Sequence, residues 1–269
     1  MTVNHWVGGS NPSRGAICMN FDNIVKVPYT TLPHMEKYEG ELLHTPPSEF
    51  HLKEKRFQAI WEPSGKIDYP NYGLSFASDL ARHKKLIKQA SIILGFEPIY
   101  HIVTLVSKIQ EDLVIVDNGR IEAAYVSFPS GWNPADAQGK LLEHVHAPVA
   151  DGDVLRKMSN KLCQLMSGDY RYHRWVWTLT TYKDLSNHPY WKRPKLTGLQ
   201  DLHFRTEHQI TFPIEKGYTS GFLIDVNVFP FLSLTKDQQD KIRDSINSMS
   251  DNVLKYKHLE DIKQLINAN

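Results

Sequence analysis

Two histidines one residue apart are the first side chains of this chain whose spacing suits metal chemistry. They form His144-Val145-His146, directly before Ala147-Pro148. On an extended segment, residues two apart point to the same side, so both imidazoles could bind one metal ion. In a helix or a turn they diverge, and one histidine would bind a metal or a heme iron while the other packs. The spacing leaves both arrangements open.

A second group of polar side chains, with the sequence RTEHQ, spans residues 205–209 and leads into an apolar run. On a strand, Arg205, Glu207 and Gln209 would share one face, and His208 would lie on the other. Three polar side chains in a row are too polar for a core unless they meet a ligand or each other. The alternative is a solvent-facing surface with an ion pair that contributes little. The apolar residues that follow favour the floor of a pocket.

A third group is Arg174-Trp175-Val176-Trp177. On a strand, the two tryptophans would share one face and Arg174 would lie on the other. Tryptophans in this pattern are more often part of a core than the wall of a cofactor site. An arginine at the edge of a heme would pair with a propionate.

The sequence predicts an α+β scaffold for these side chains, with an antiparallel sheet of about five strands flanked by helices. Apolar residues at helical spacing predict helices at 48–61, 74–95, 98–108 and 153–166, and from residue 235 onward. Strand-like runs lie at 112–118, 120–128, 172–182, 204–212 and 218–228. Asn118-Gly119 predicts a tight hairpin turn between the first two strands, and Thr235 is the expected N-cap of the last helical region.

The periodic pattern of apolar residues changes near residue 70, which predicts two regions of the chain. Residues 1–70 are rich in proline and poor in periodic pattern, so they are predicted to be an irregular region packed on the core. Residues 71–269 carry the predicted helices and strands and form the predicted site-bearing domain, which ends in C-terminal helices.

Composition narrows the class of protein. The 269 residues include 31 basic and 30 acidic side chains, a balance that argues against nucleic acid as the partner. No apolar run approaches the roughly 20 residues of a membrane span, and the first residues lack a signal-peptide layout. We therefore expect a soluble cytoplasmic protein. Cys18 and Cys163 have no CxxC spacing, which excludes an iron–sulfur cluster of four thiolates.

Nucleotide-binding patterns are missing from the sequence. It contains no GxGxxG, no GxxxxGK[ST], no GxSxG and no HExxH. Any redox reaction at this site would therefore need reducing equivalents from another protein.

Four motifs occur together and in order: QEDL at 110–113, FPSGW at 128–132, HAPV at 146–149 and RTEHQ at 205–209. In this order the sequence resembles the heme-dependent oxidative N-demethylase family, and the resemblance covers roughly residues 109–234. It implies a PAS-like sheet that encloses heme b. It also implies oxygen-dependent demethylation of a small secondary amine such as dimethylamine, with release of an aldehyde and with electrons from a separate reductase subunit.

The resemblance implies roles for the singled-out residues. The histidine of the HAPV motif falls on His146, which is the expected iron ligand. The family's substrate-side strand falls on Arg205, Glu207 and Gln209, the expected catalytic residues. A carboxylate such as Glu207 would hold an alkylammonium by a charge-assisted hydrogen bond and accept its proton. The other residues expected around the cofactor are His144, Arg174, Trp177 and His208.

The sequence departs from the family pattern at His208, where the family commonly has arginine, and at residues 211–213. The loss of positive charge bears on propionate anchoring and on the identity of the substrate. Two other hypotheses about the function stay open. One is a heme-binding sensor or carrier on the same fold. The other is a non-heme metalloenzyme that uses His144, His146 and Glu207 as two-histidine, one-carboxylate ligands.

Overall fold

The structure is a computed structural model that describes residues 21–61, 74–76, 80–137 and 139–269. Sequence predictions for residues 1–20, which include Cys18, and for residues 62–73, 77–79 and 138 lie outside the described residues.

One antiparallel sheet organises the described part of the chain. Its seven strands lie in the order β1-β5-β6-β7-β3-β4-β2. The strands are β1 (Glu36–Lys37), β2 (Leu74–Phe76), β3 (Asp112–Asp117), β4 (Arg120–Tyr125), β5 (Tyr172–Thr180), β6 (His203–Glu215) and β7 (Thr219–Pro230). The predicted α+β class and the antiparallel sheet are confirmed. The two short edge strands, β1 and β2, account for the difference from the expected number of about five, and the description PAS-like stays a prediction.

Helices flank the sheet. They are α1 (Phe21–Ile24), α2 (Glu49–Trp61), α3 (Leu80–Ile93), α4 (Ile102–Val106), α5 (Leu142–Val145), α6 (Asp153–Met166), α7 (Lys236–Asn247), α8 (Asp251–Lys257) and α9 (Glu260–Asn267). Short 3-10 turns occur at Pro134–Ala137, Leu199–Asp201 and Phe231–Ser233. Among the described residues, none of these helices has the length and apolar content needed to cross a membrane.

Successive side chains along each strand point to opposite faces of the sheet, and the two faces pack in different cores. On β3, Leu113 and Ile115 pack in a core with helices α3 and α4. Val114 and Val116 point the other way, into a core that includes Leu142 of α5 and parts of α6. The C-terminal helices α7 to α9 form a third core with residues of β5, β6 and β7. The face that carries Val114 and Val116 is the one on which the candidate site lies.

The hairpin and the last helical region formed where the sequence predicted them. Asn118 and Gly119 have φ angles of 48° and 76°, the left-handed values that the tight turn between β3 and β4 needs. The hydroxyl of Thr235 accepts the amide N–H of Gln238 at 3.3 Å, so Thr235 is the N-cap of α7.

Among the predicted element boundaries that were wrong are those of β2, β6 and α4. Residues 74–76 form β2 rather than the start of a helix, because the outer edge of β4 offers free backbone groups with which they pair. Strand β6 runs through Pro213 to Glu215 because a β-bulge between these residues accommodates the missing N–H. Helix α4 begins at Ile102 rather than at Pro98.

Residues 21–61 pack on the sheet. Val25 and Leu42 are buried in separate cores, and β1 pairs with β5. The division of the chain near residue 70 stays a prediction.

Candidate active site

A cavity of about 900 Å³ lies against the Val114 face of the sheet. Its walls come from α5, α6, the FPSGW turn, residues 29–36 and the end of α8. Large apolar pockets with a few convergent polar groups are the usual form of small-molecule sites. Predicted site residues that line the cavity are His146, Arg174, Trp177, Arg205, Glu207 and Gln209.

His146 lies directly after the short helix α5. Its Nδ1 is 2.8 Å from the carbonyl oxygen of Leu142, one turn earlier. Because a carbonyl oxygen only accepts, Nδ1 carries the proton and Nε2 keeps a free lone pair. Burial lowers the pKa of His146, and the positive charge of Arg174 lowers it further. A neutral imidazole whose other nitrogen is held by a backbone carbonyl is the usual form of a metal-ligating histidine.

Glu207 is at the centre of a chain of hydrogen bonds on β6. The amide Nε2 of Gln209 donates to Glu207 Oε2 at 2.7 Å, and Arg174 Nε donates to Gln209 Oε1 at 2.7 Å. On the other side, the hydroxyl of Ser130 donates to Glu207 Oε1. The side chain of Glu207 remains 14% exposed. The strand alternation that the RTEHQ pattern predicted is therefore present, and the polar side chains meet each other on the cavity wall.

Arg205 holds the FPSGW turn against the strand. Its Nη2 donates to the carbonyl of Phe128 at 2.7 Å, its Nε donates to Ser130 Oγ at 2.8 Å, and its Nη1 donates to the carbonyl of Leu185. Its guanidinium is almost completely buried. Burial lowers the pKa of Arg205, and the charge of Glu207 opposes that shift. Arg205 therefore fixes the position of the groups around Glu207.

The tryptophans and the arginine of β5 separate as the sequence predicted. Arg174 pairs with Gln209 across the strands, so it lies on the same face as Glu207. Trp177 packs in the core that α7 to α9 form, where the centre of its ring is 5.9 Å from that of the Phe204 ring. Trp177 also contributes to the cavity wall.

Two of the predicted site residues lie away from the cavity. The side chain of His144 is 63% exposed, next to Glu143. His208 is on the other face of the sheet, where its ring stacks on Trp175 at 4.1 Å and its Nε2 is 2.8 Å from Nδ1 of His173. Burial lowers the pKa of His208 to about 4, so it is neutral at ordinary pH.

His144, His146 and Glu207 are not brought together as a set of ligands. Within the described ranges, no group of three or more histidine, cysteine or carboxylate side chains is placed to hold a metal ion. The two-histidine, one-carboxylate site therefore has no support in the described residues.

The cavity lining is suited to a heme, which is a flat apolar ring with two carboxylates. The apolar lining residues include Val114, Val116, Ile121, Ala124, Ala137, Leu142, Val145, Val149, Leu162, Met166, Phe222 and Ile224. Among the described residues, the basic lining side chains are Lys26, Arg174, Arg193, Arg205 and Lys257, whereas the acidic ones are Glu36 and Glu207. An excess of positive charge in a mostly apolar cavity favours an anionic ligand. His146 supplies an unprotonated nitrogen for the iron.

Ser130 was not predicted as a site residue, although the turn that contains it was singled out. Gly131 has a φ of 78°, so the turn needs glycine directly after Ser130. The amide of Gly131 donates to the carbonyl of Asn187 at 3.1 Å, which joins the turn to the loop at 186–199. The composition of the turn indicated a rigid backbone, but no spacing in the sequence connects Ser130 with Glu207.

An antiparallel α+β fold with a neutral histidine and a hydrogen-bonded carboxylate on a large apolar cavity is typical of a small-molecule-binding protein. Comparison with known families gives a closer assignment. The model of a family described as haem-dependent oxidative N-demethylase, alpha subunit-like, matches residues 58–267. The chain belongs to this family, as its four motifs predicted. No curated protein matches the chain.

Proposed function

We propose that this protein carries out heme-dependent oxidative N-demethylation of a small secondary alkylamine such as dimethylamine. The observation that carries the proposal is that a single cavity is lined by both His146, with Nε2 free, and Glu207, with its carboxylate fixed by neighbours. Family membership supports the cofactor and the type of reaction.

In this proposal His146 is the iron ligand, and the basic lining residues balance the charge of the heme carboxylates. The bound heme would supply the activation of oxygen. Arg174 donates to Gln209 at the end of the Glu207 hydrogen-bond chain, and Lys257 and Arg193 lie elsewhere on the lining.

Glu207 binds the amine. A carboxylate has about four lone-pair positions, and Ser130 and Gln209 occupy two of them. The remaining two match the two N–H donors of a dialkylammonium ion. Glu207 would hold this cation by charge-assisted hydrogen bonds and take a proton from it, since the amine must be neutral before it is oxidised. Trp132, which also lines the cavity, offers an aromatic face to the alkyl groups.

The overall reaction fixes what else is needed. Dimethylamine, dioxygen, two electrons and two protons give methylamine, formaldehyde and water. The sequence has no nucleotide-binding pattern and no cluster cysteines. We therefore propose that the electrons come from a separate reductase subunit, in agreement with a family described as alpha subunit-like.

The test is to replace Glu207 with Gln and to follow formaldehyde release from dimethylamine by the heme-loaded protein with oxygen and a chemical reductant. Loss of the charge should lower kcat/KM by roughly 10- to 100-fold, the worth of a hydrogen bond to a charged group. Glu36→Gln, at the other carboxylate of the lining, is the matched control and should stay within about twofold of the wild type.

Equal activity of Glu207→Gln and wild type would overturn the role of Glu207. A wild-type protein that binds heme but neither turns over dimethylamine nor changes its spectrum with it would instead be a sensor or a carrier.

A further inference from the structure

A buried ion pair lies outside the cavity and has no part in the proposed chemistry. Lys55 of α2 and Asp112 at the start of β3 are 3% and 0% exposed, and their Nζ and Oδ1 atoms are 3.4 Å apart. Neither residue lines the cavity. Burial raises the pKa of Asp112 and lowers the pKa of Lys55, since both charged forms lose their hydration. A buried ion pair is often no more stabilising than an apolar pair of the same size, so its presence here needs another reason.

Asp112 is connected to the candidate site through backbone amides at the start of the FPSGW turn. Its Oδ2 accepts the amide N–H of Phe128 at 2.9 Å. The carbonyl of the same residue accepts Arg205 Nη2, and Ser130, two residues later, donates to Glu207. The carboxylate of Asp112 is therefore linked to that of Glu207 through the FPSGW turn and Arg205.

Lys55 fixes Asp112 in turn. Its ammonium donates to the carbonyls of Glu111 at 2.7 Å, Ile109 at 3.2 Å and Val106 at 3.4 Å. These carbonyls belong to the segment that leads into β3. The ammonium is also 5.6 Å from the centre of the Phe128 ring. A single charged group thus holds both the backbone beside Asp112 and the ring of the residue that Asp112 binds.

We propose that Asp112, through its hydrogen bond to the Phe128 N–H, is a positioning residue that sets the FPSGW turn and, through Ser130, the orientation of the Glu207 carboxylate toward the amine. The part of this inference that concerns the amine rests on the proposed function. The part that concerns the turn does not.

Two double variants separate the hydrogen bond from the charge. Lys55→Met with Asp112→Asn removes both charges but keeps an acceptor for the Phe128 N–H. Lys55→Met with Asp112→Leu removes the acceptor as well, and Leu and Asn branch at the same carbon. Should the Leu variant not fold, Asp112→Ala in the Lys55→Met background removes the same acceptor with less bulk.

The first readout is amide hydrogen exchange of residues 127–132, which requires neither heme nor amine. We expect exchange about tenfold faster in the Leu variant, near wild-type protection in the Asn variant, and unchanged protection of β6 and β7 in both. The second readout is the dissociation constant of dimethylamine from the heme-loaded protein, measured by absorption. It should rise about tenfold in the Leu variant alone, with the same heme content in all proteins.

Unchanged exchange at 127–132 in the Leu variant would overturn the inference, whatever the amine data show. Faster exchange with an unaltered dissociation constant would overturn the link to Glu207. A wild type that does not bind dimethylamine would remove the proposed function, and the exchange data would still decide whether Asp112 positions the turn.

Discussion

Arg205 shows how one side chain determines the shape of this site. A carboxylate on a strand is free to adopt several rotamers, and its direction depends on what surrounds it. Here Arg205 holds the hydroxyl of Ser130, and Ser130 donates to Glu207. The planar guanidinium makes this possible because its donors have fixed directions, and a lysine ammonium lacks that geometry.

We expect Arg205→Lys to lower the free energy of unfolding by about 2–4 kcal/mol, because the carbonyls of Phe128 and Leu185 would lose their donors inside the protein. The measurement is urea denaturation, read as a shift of the midpoint at constant slope.

Arg120→Lys is the matched control for that substitution. Arg120 is exposed and donates to one carbonyl, that of Gly139 at 3.1 Å. Its replacement should change the free energy of unfolding by less than about 0.5 kcal/mol. If both variants lost the same free energy of unfolding, the buried hydrogen bonds of Arg205 would contribute no more to stability than the exposed one of Arg120.

At the scale of elements, helix α5 explains why the two histidines of the HAPV region do not act together. Residues two apart on a helix point about 200° apart around its axis. His144 lies within α5 and is exposed, whereas His146 follows its last residue and reaches the cavity. The two imidazoles therefore diverge, as expected for a helix or a turn, although His144 is exposed and not packed.

Thr235 makes a testable contribution to the start of α7. Its hydroxyl accepts the N–H of Gln238, and the Gln238 side chain accepts the N–H of Thr235 at 3.0 Å. Thr235→Ala should lower the free energy of unfolding by about 1 kcal/mol, because the amide at the helix start loses its acceptor. Thr235→Ser keeps the hydroxyl and should remain close to wild type. Thermal denaturation of both variants is the measurement, and equal melting temperatures would contradict the capping role.

The structural features that the sequence predicted correctly depend on residues that are close together in the chain. Asn118-Gly119 and the Thr235 cap are signals spanning two to four residues, and both formed where expected. Strand β1 could not be predicted, because two residues carry no periodicity and pair only since the edge of β5 is free. Within the candidate site, too, local features were predictable and contacts between distant residues were not. The alternation of Arg205 and Glu207 follows from the strand, but the bond from Ser130 joins residues 77 apart and exists only in the folded chain.

At the scale of the whole molecule, two histidines on the sheet face opposite the cavity respond to pH in opposite directions. A hydrogen bond with Glu111 raises the pKa of His44 to about 9, and Asp225 adds to this effect. Burial lowers the pKa of His208 to about 4, and His173 lowers it further. Between pH 6.5 and 9 the folded state holds the proton of His44 more tightly than the unfolded chain does. Between pH 4 and 6.5 the unfolded chain takes up a proton that His208 lacks in the folded state.

His44 and His208 stabilise the folded state in different pH ranges. The stability that His44 provides is complete below about pH 6.5 and is lost as the pH rises to about 9. The stability associated with neutral His208 is lost as the pH falls from about 6.5 to about 4. We therefore expect the combined contribution of His44 and His208 to the free energy of unfolding to be highest near pH 6.5. The His44 side chain is 47% exposed, so solvent reduces the size of its contribution.

Each histidine serves as the control for the other. Urea denaturation across pH 4–9 should show that His44→Gln flattens the alkaline side of the profile and leaves the acid side, whereas His208→Gln does the reverse. Parallel profiles for wild type and both variants would contradict the assignment.

The central claim concerns the molecule as a heme protein with one histidine ligand, and titration of the purified protein with heme tests it most directly. We expect a Soret band in the wild type and in His144→Ala, because the side chain of His144 is exposed outside the cavity. His146→Ala should lose the band, although its fold, measured by circular dichroism, should be unchanged. A wild type without a Soret band, or a His146→Ala variant that binds heme fully while His144→Ala does not, would contradict the account.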